Sequence, residues 1–406
     1  MGHTVSASAA SSGRTAYAGP EIVTGHDVLS DHAVLVSDGR IEAVLPRAQL
    51  PSGVRVTDLG PGYLTAGLID VHVHGAAGRG YHEATPEAFA SIGTALLAAG
   101  VTTALPTLAS APVPDLSTAL DALEAFRGAS AIGPSLPGAH LEGPYFSHGQ
   151  RGAQDSTALR VPSDGSVEML LERADAITMM SFAPELDGAV HLTERLVAAG
   201  IVAAAGHTDG TADDLARCEA VGLSHVIHVF SGQSTTLRRG PWRVPGMLEA
   251  TLASDTLTVE MIADGKHLPP LLMRLAHRGA GDRLCLVSDA TAGAGLPEGS
   301  RYEIATTSYD VVDGVGMTLE RDSFGGSTTL LGHMLPIARD ALGLPLPDLI
   351  TMVTSVPARA ARLPDVGHLL PGYRADLTLF DHDLVPRAVA LRGTWHTTAP
   401  TEGTIR

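Results

Sequence analysis

The chain has 406 residues, of which 44% are hydrophobic and 17% charged, so it can bury a large core and is not disordered over most of its length. Its formal charge is -17 and it has no run of basic residues, which argues against nucleic acid or an anionic membrane as a partner. Only one of its 27 basic residues is a lysine, Lys266, whereas histidine occurs 18 times. The lone lysine nearly excludes phosphate-loop and Schiff-base mechanisms, and the histidines raise the question of a metal.

The cysteine count and the hydropathy pattern indicate a cytoplasmic protein. Two cysteines, Cys218 and Cys285, imply no disulfide framework and suit a reducing compartment. No apolar run approaches the roughly 18 residues of a membrane span, and residues 1–13 lack the apolar centre of a secretory signal. We therefore expect a cytoplasmic chain whose residues 1–15 are disordered.

Both ends of the folded chain are predicted to be β structure. From residue 16 to about residue 59, short alternating strands are separated by turns, and the pair Asp38-Gly39 is a standard hairpin signal between two of them. After residue 366 the chain returns to Gly/Pro turns and β runs. We predict that residues 16–64 and 366–406 together form one small β-sandwich domain.

Residues 65–365 are predicted to form a (β/α)8 barrel. Near-continuous apolar strands alternate there with Ala/Leu-rich helical stretches, which is typical of a parallel sheet covered on both faces. Eight such units favour a barrel over an open doubly wound sheet, and no G-x-G-x-x-G follows an early strand. The eight strand-like runs are GLIDVHV, VTTALPTL, SLPGAHLE, AITMMSFA, GIVAAAGH, SHVIHVF, LTVEMIAD and RLCLVSDA. An insertion with strand character follows over residues 301–322, and then helical candidates near 330–343 and 346–361.

Polar residues recur where the predicted strands end. Active sites of such barrels lie at the C-terminal ends of the strands, so these residues carry the functional information. His72 and His74 end strand one and face the same way, because they are two residues apart. The other strand-end groups are His140 and Glu142, His207, His225 and His228, and Asp289. Imidazole and carboxylate ligands around one barrel mouth suit Zn²⁺, Fe²⁺ or Mn²⁺.

The lysine count limits how a metal can be held. Some barrel hydrolases bridge two metals with a carboxylated lysine from a middle strand, but Lys266 follows strand seven, so Glu142 is the carboxylate available here. We therefore expect one or two divalent ions per chain. The predicted ligands are Glu142, His207 and His228 for one ion, and His72, His74, Glu142 and Asp289 for a second.

Two further residues are predicted to act on the substrate. Asp289 is the candidate general base, because a carboxylate beside an activated water can take its proton and later deliver it to a leaving amine. His267 follows strand seven, where it can hydrogen-bond a carbonyl or hydroxyl of the substrate.

These motifs resemble the amidohydrolase superfamily and, within it, the N-acetylglucosamine-6-phosphate deacetylase family. The resemblance spans nearly the whole chain, from PGYLTAGLIDVHVHG to GHLLPGYRADLTLFD, and its most specific pieces are HLEGP, GHT and the SDAT segment that begins at residue 288. It implies a metal-dependent barrel beside a small β-sandwich, which hydrolyses the acetamide of an N-acetylamino sugar 6-phosphate to acetate and the free amine. The positions that match the family's metal, acid/base and substrate residues are Glu142, His207, His228, Asp289 and His267, and His72 and His74 match members with a second metal position.

Three departures from the family pattern fall in the implied substrate pocket. Where the family has H-L-F-N-A-M, in which the asparagine and alanine help to bind phosphate, residues 228–233 read HVFSGQ. Gly232 still offers an N–H there, whereas Ser231 has a shorter side chain than asparagine. Gln154 replaces a substrate-binding histidine. The loop that leads to Arg243 is longer, and the family's arginine at that position reaches the phosphate bound by the partner subunit of a dimer. The resemblance therefore implies a homodimer in which Gln154, Ser231, Gly232 and Arg243 contact the substrate.

The departures leave the substrate open. The same chemistry on a galactosamine isomer, a non-phosphorylated amino sugar or another N-acyl compound is the first alternative. A cyclic-amide hydrolase commonly uses the lysine bridge, which this chain lacks. A non-catalytic sugar-binding relative is the third alternative, but such a protein is expected to have lost Asp289 or a metal ligand, and neither is lost.

Overall fold

A computed structural model of the chain describes residues 13–129 and 133–397. Most of the predicted disordered segment, residues 1–15, lies outside the described residues, and the first strand begins at Arg14. The N-terminal strands are β1 (Arg14–Ala18), β2 (Glu21–Val23), β3 (Val28–Leu29), β4 (His32–Ser37), β5 (Arg40–Pro46), β6 (Arg55–Asp58) and β7 (Tyr63–Ala66). β4 and β5 form a hairpin in which Asp38 and Gly39 have φ of 51° and 74°, as the two-residue turn requires.

Eight parallel strands form a barrel within the described residues. The strands between residues 68 and 287 are β8 (Leu68–Val73), β9 (Gly75–Ala76), β10 (Arg79–Gly80), β11 (Val101–Ala109), β12 (Ala139–Glu142), β13 (Ile177–Phe182), β14 (Val202–Ala205), β15 (His225–Val226), β16 (Leu237–Arg239), β17 (Trp242–Val244), β18 (Thr258–Ile262) and β19 (Leu284–Val287). The barrel strands are β8, β11 to β15, β18 and β19, which pair in that order. A bridge between Val73 and Ala290 joins the last strand to the first, so the predicted barrel fold is confirmed.

The helices cover the outside of this barrel. They are α1 (Pro86–Ala98), α2 (Val113–Ala129), α3 (Val167–Leu171), α4 (Ala189–Ala198), α5 (Ala212–Glu219), α6 (Met247–Ala253), α7 (Pro270–Ala280), α8 (Leu331–Leu342), α9 (Leu346–Thr351) and α10 (Ser355–Ala360). α1 shows how the sequence sets such a boundary: Thr85 caps the helix by accepting a hydrogen bond from the Ala88 N–H, and Pro86 occupies the first helical position. Its apolar face, with Ile92 and Leu96, is fully buried in the same core as the barrel strands.

The predicted helix over residues 346–361 is divided into α9 and α10. The carbonyl oxygen of Met352 accepts a hydrogen bond from Leu286 N, and that of Val353 accepts one from Ile69 N, both at 2.9 Å. These oxygens therefore bind β19 and β8 instead of continuing the helix. Tertiary hydrogen bonds from the barrel, which no local pattern encodes, break the helix at this point.

The remaining strands build two further units. After β19, the strands β20 (Arg301–Ile304), β21 (Thr307–Val312), β22 (Val315–Thr318) and β23 (Phe324–Ser327) form an antiparallel sheet. A bridge between Ala290 and Ser327 fixes this insertion sheet beside the C-terminal end of β19. The chain ends with β24 (Leu377–Phe380), β25 (Pro386–Leu391) and β26 (Thr394–Thr397).

Strands from both ends of the chain meet in a β-sandwich, as predicted. One sheet has the order β5-β4-β1-β6 and the other β26-β25-β24-β7-β2-β3. Val34 of the first sheet and Leu64 and Leu377 of the second are buried in one shared core. The domain limits at residues 64/65 and 365/366 stay a prediction. Among the described residues, none of the helices has both the length and the apolar character needed to cross a membrane.

Candidate active site

A cavity of about 220 Å³ opens at the C-terminal ends of the barrel strands. Most of the predicted site residues line it, namely His74, Glu142, Gln154, His207, His228, Ser231, Gly232, His267 and Asp289. His72 is fully buried beside the cavity. Arg243 does not line it, because it lies exposed on the β16–β17 hairpin opposite Arg238. The tertiary structure thus brings together every predicted site residue except this arginine.

Glu142, at the end of β12, is the centre of the first cluster. Its Oε1 lies 3.1 Å from His207 Nε2 and 3.1 Å from His228 Nε2. Burial by itself would raise the pKa of this carboxyl, but the contacts with His207 and His228 hold it well below its ordinary value. Glu142 is therefore an anion with two imidazoles directed at one oxygen.

Hydrogen bonds at the outer nitrogens of these two rings leave both Nε2 atoms facing Glu142. His207 Nδ1 lies 2.8 Å from the Gln150 carbonyl and His228 Nδ1 lies 3.2 Å from the Ser231 carbonyl. A carbonyl oxygen can only accept, so both Nδ1 atoms donate, and in the neutral form of each ring the lone pair of Nε2 faces the Glu142 oxygen. Facing lone pairs repel unless a cation lies between them, and ligand atoms about 2.1 Å from one zinc ion lie about 3 to 3.5 Å apart. The donor set fits a divalent metal.

A second cluster of potential ligands adjoins the first. Asp289 Oδ1 lies 3.3 Å from His74 Nε2 and 3.5 Å from His72 Nε2. The ligand atoms of these three residues lie within 4.8 Å of one another, as do those of His72, Glu142 and His228. Among the described residues, His72 Nε2 is buried without a hydrogen-bond partner. An orphaned nitrogen between two carboxylates fits a second cation position that shares Glu142 with the first.

Three of these side chains follow strand ends that have unusual backbone conformations. His207, His228 and Asp289 have φ of 44°, 22° and 46°, in the left-handed region that non-glycine residues rarely adopt. This conformation turns each side chain out of the strand direction and towards the cavity. Local strain of this kind is concentrated at functional sites.

His267 is held at the cavity wall by a carboxylate that the sequence interpretation missed. His267 Nδ1 donates to Asp264 Oδ2 at 2.7 Å, and Ser327 Oγ of the insertion sheet donates to the same oxygen at 2.9 Å. Burial of Asp264 acts to raise its pKa, but the contacts with His267 outweigh it and lower that pKa. The ring therefore has a fixed orientation with Nε2 free for the cavity. The three-residue spacing of Asp264 and His267 in the sequence was the signal from which this contact could have been predicted.

The insertion sheet forms one wall of the cavity and is hydrogen-bonded to the loop that carries Gln154. Tyr309 Oη donates to the Ala153 carbonyl at 2.7 Å, and Thr306 Oγ1 donates to Asp155 Oδ2 at 2.5 Å. The sequence predicted strands in this insertion but not their position over the barrel mouth.

Gln154 and Gly232 lie directly against side chains of the first cluster. Gln154 Nε2 donates to Glu142 Oε2 at 2.5 Å, and its Oε1 accepts from Ser110 N at 2.7 Å. Gly232 has φ of 59°, and a Cβ there would lie 2.8 Å from His207 Nδ1. A side chain at this position would therefore be strained in conformation and would crowd His207.

The barrel, the candidate metal-ligand clusters at its mouth and the adjoining sandwich are the features of a hydrolase of the metallo-barrel class. Residues 63–403 match the amidohydrolase family, and residues 16–62 match the NagA composite domain. The chain belongs to the amidohydrolase family, as the sequence resemblance predicted.

Several proteins similar to this chain are named as deacetylases of N-acetylamino sugar 6-phosphates. The N-acetylglucosamine-6-phosphate deacetylase of Haemophilus influenzae is 29% identical, over 92% of this chain and 97% of the relative. The N-acetylgalactosamine-6-phosphate deacetylase of Escherichia coli O157:H7 is 28% identical, over 92% of this chain and 96% of the relative. The structure of a mutant N-acetyl-D-glucosamine-6-phosphate deacetylase from Mycobacterium smegmatis, in complex with N-acetyl-D-glucosamine-6-phosphate, has a TM-score of 0.87 and 31% identity, and covers 94% of this chain and 99% of that one.

Proposed function

We propose that the protein hydrolyses the acetamide of an N-acetylamino sugar 6-phosphate, with N-acetylglucosamine 6-phosphate as the leading substrate, and releases acetate and the amino sugar phosphate. The observation that carries this proposal is the pair of imidazole Nε2 atoms 3.1 Å from Glu142 Oε1, in one cavity that the Asp289 carboxylate also lines. The names of the similar proteins support the substrate class.

The proposed cofactor is one or two divalent metal ions per chain, zinc first and iron or manganese as alternatives. The proposed ligands are Glu142, His207 and His228 for one position, and His72, His74 and Asp289, with Glu142, for the other. When bound, such an ion polarises the acetamide carbonyl and lowers the pKa of a coordinated water towards about 7.

Asp289 is the proposed acid/base residue. Its carboxylate takes a proton from the attacking water as the water oxygen bonds to the acetamide carbon. The C–N bond then breaks as Asp289 returns this proton to the leaving nitrogen, so that acetate and the free amine are formed. Burial acts to raise the pKa of Asp289, but its contacts with His74 and His72 lower it, so the residue enters the reaction as a base.

The proposed substrate contacts surround this centre. His267 accepts a sugar hydroxyl hydrogen at Nε2, because its Nδ1–H is donated to Asp264. Ser231 and Gly232 offer polar groups at the cavity wall, and Gln154 lines the cavity near Glu142.

The phosphate is proposed to be bound with the help of a second copy of the chain. Among the described residues that line the cavity, none is arginine or lysine. Arg243 is instead exposed on the β16–β17 hairpin together with Arg238 and Arg239, where it can reach another molecule. We therefore propose a cytoplasmic homodimer in which Arg243 of the partner subunit completes the phosphate site.

The test is a panel of N-acetylhexosamines, with and without a 6-phosphate, including the glucosamine and galactosamine epimers. We expect acetate release with a preference for phosphorylated substrates, and loss of at least about 100-fold in kcat for Asp289→Asn. Equal activity on phosphorylated and free sugars would refute the phosphate assignment. A protein that binds no transition metal and releases no acetate from any member of the panel would refute the enzyme assignment and favour a sugar-binding protein. The galactosamine isomer is the second candidate, because a relative of similar identity has that name.

A further inference from the structure

Glu260, in the middle of β18, is a fully buried charge that the proposed mechanism does not use. Its neighbours in the strand are apolar, and a carboxylate in such surroundings persists only when it is paired. Its Oε2 lies 2.8 Å from His72 Nδ1, and its Oε1 lies 2.9 Å from His225 Nε2. The His228 backbone N–H also donates to Oε2, at 3.3 Å. Glu260 thus links β8 and β15 beneath the cation-binding clusters.

These contacts fix the hydrogen-bonding state of His72. Because a carboxylate accepts, His72 Nδ1 must donate to Glu260, so in the neutral ring that a metal requires the lone pair lies on Nε2. That nitrogen is the buried atom without a partner, 3.5 Å from Asp289 Oδ1 and 3.6 Å from Glu142 Oε1. The arrangement is a carboxylate–histidine pair with its free lone pair directed at the second cluster, and such pairs orient metal-binding histidines.

His225 has a different environment, although it lies on the strand that leads to His228. Its Nε2 donates to Glu260, and its Nδ1 lies 2.7 Å from Thr258 Oγ1. Both ring nitrogens therefore have protein partners, so this histidine supports Glu260 and has no lone pair for a metal.

We propose that Glu260 is a positioning residue for a metal ion at the His72–His74–Asp289 position. It locks His72 in the tautomer and orientation that present Nε2 to the ion, while His225 holds the carboxylate in place. This inference rests on the metal dependence of the proposed function. It assigns a role to a residue outside the cavity, which contacts neither the substrate nor the reacting atoms.

A purely structural role for Glu260 makes a different prediction. If Glu260 only formed a structural ion pair, its replacement would lower the stability of the fold. Each metal position of the folded variant would then have the same metal affinity as the corresponding position of the wild type. A positioning role affects one metal position selectively. The position of Glu142, His207 and His228 does not use His72 as a necessary ligand, so it serves as an internal reference.

The experiment is a zinc titration of Glu260→Gln and the wild-type enzyme in chelator-buffered solutions, with bound metal counted by mass spectrometry. We expect zinc affinity at one position to fall about 10- to 100-fold and affinity at the other position to change little. Glu185→Gln is the matched control, because Glu185 accepts from Thr208 Oγ1 and Asp209 N at the same end of the barrel without contacting a proposed ligand nitrogen. We expect this control to retain both ions.

A second measurement does not depend on a variant that folds. Histidine ¹⁵N NMR of the zinc-loaded wild-type enzyme is expected to show His72 protonated at Nδ1 and unprotonated at Nε2. Unchanged affinity at both positions in Glu260→Gln, a wild-type chain that holds only one ion, or a His72 ring without the Nδ1 proton would each overturn the proposal. Absence of any metal or deacetylase activity in the wild type would instead overturn the proposed function.

Discussion

Replacement of Gln154 by leucine tests whether the loop over the cavity holds the metal-binding carboxylate. The substitution preserves approximate volume but removes the donor to Glu142 Oε2 and the acceptor of Ser110 N, contacts of 2.5 and 2.7 Å. A hydrogen bond to a charged group contributes about 1.5–3 kcal/mol, and an unsatisfied buried N–H costs about 1–3 kcal/mol. Because Gln154 is only half-buried, the lower parts of these ranges apply, and we expect the free energy of unfolding to fall by about 3 kcal/mol.

Urea unfolding at a fixed zinc concentration, followed by circular dichroism, measures this loss. Gln150→Leu is the matched control, because Gln150 Nε2 also donates to a carboxylate, Asp209 Oδ1 at 2.9 Å, but in an exposed contact. We expect the control to lose less than about 1 kcal/mol. We also expect Gln154→Leu, but not Gln150→Leu, to weaken zinc binding by about tenfold, because Glu142 loses one of its contacts only in the first variant. Equal losses in the two variants would refute the reasoning.

Three further predictions concern the site and its wall. Asp264→Asn leaves His267 without its carboxylate acceptor, and we expect kcat/KM to fall at least about tenfold in steady-state assays with little change in zinc content; unchanged kinetics would contradict the role of Asp264. Tyr309→Phe removes the hydrogen bond to the Ala153 carbonyl and should cost about 1 kcal/mol of unfolding free energy in urea titrations, which an unchanged midpoint would exclude. Chelation of bound metal should abolish deacetylation and lower the thermal unfolding temperature, and zinc should restore both; full activity after verified metal removal would contradict metal dependence.

Much of the fold follows from local patterns. The alternation of buried strands and amphipathic helices indicates the parallel barrel, and Asp38-Gly39 determines a hairpin because both residues adopt positive φ. The division between α9 and α10 could not be predicted in this way. It depends on the carbonyls of Met352 and Val353, which bind strands that are distant in the sequence.

The sequence also located most of the candidate site, because the C-terminal ends of parallel strands converge in any barrel. The sequence alone therefore predicts that Glu142, His207, His228 and Asp289 form one group. Arg243 does not lie with these residues at the barrel mouth. It is on an exposed hairpin, and its predicted phosphate contact needs another molecule.

The sequence by itself determined which residues stand at the barrel mouth, since strand periodicity and strand order are local or topological properties. Only the tertiary structure decided how these residues contact one another. Gln154 binds the Glu142 carboxylate, and Glu260 binds His72 across a separation of 188 residues. Contacts of this kind depend on differences of a few tenths of an ångström in the separation of side chains from distant parts of the chain, and neither residue spacing nor composition contains that information.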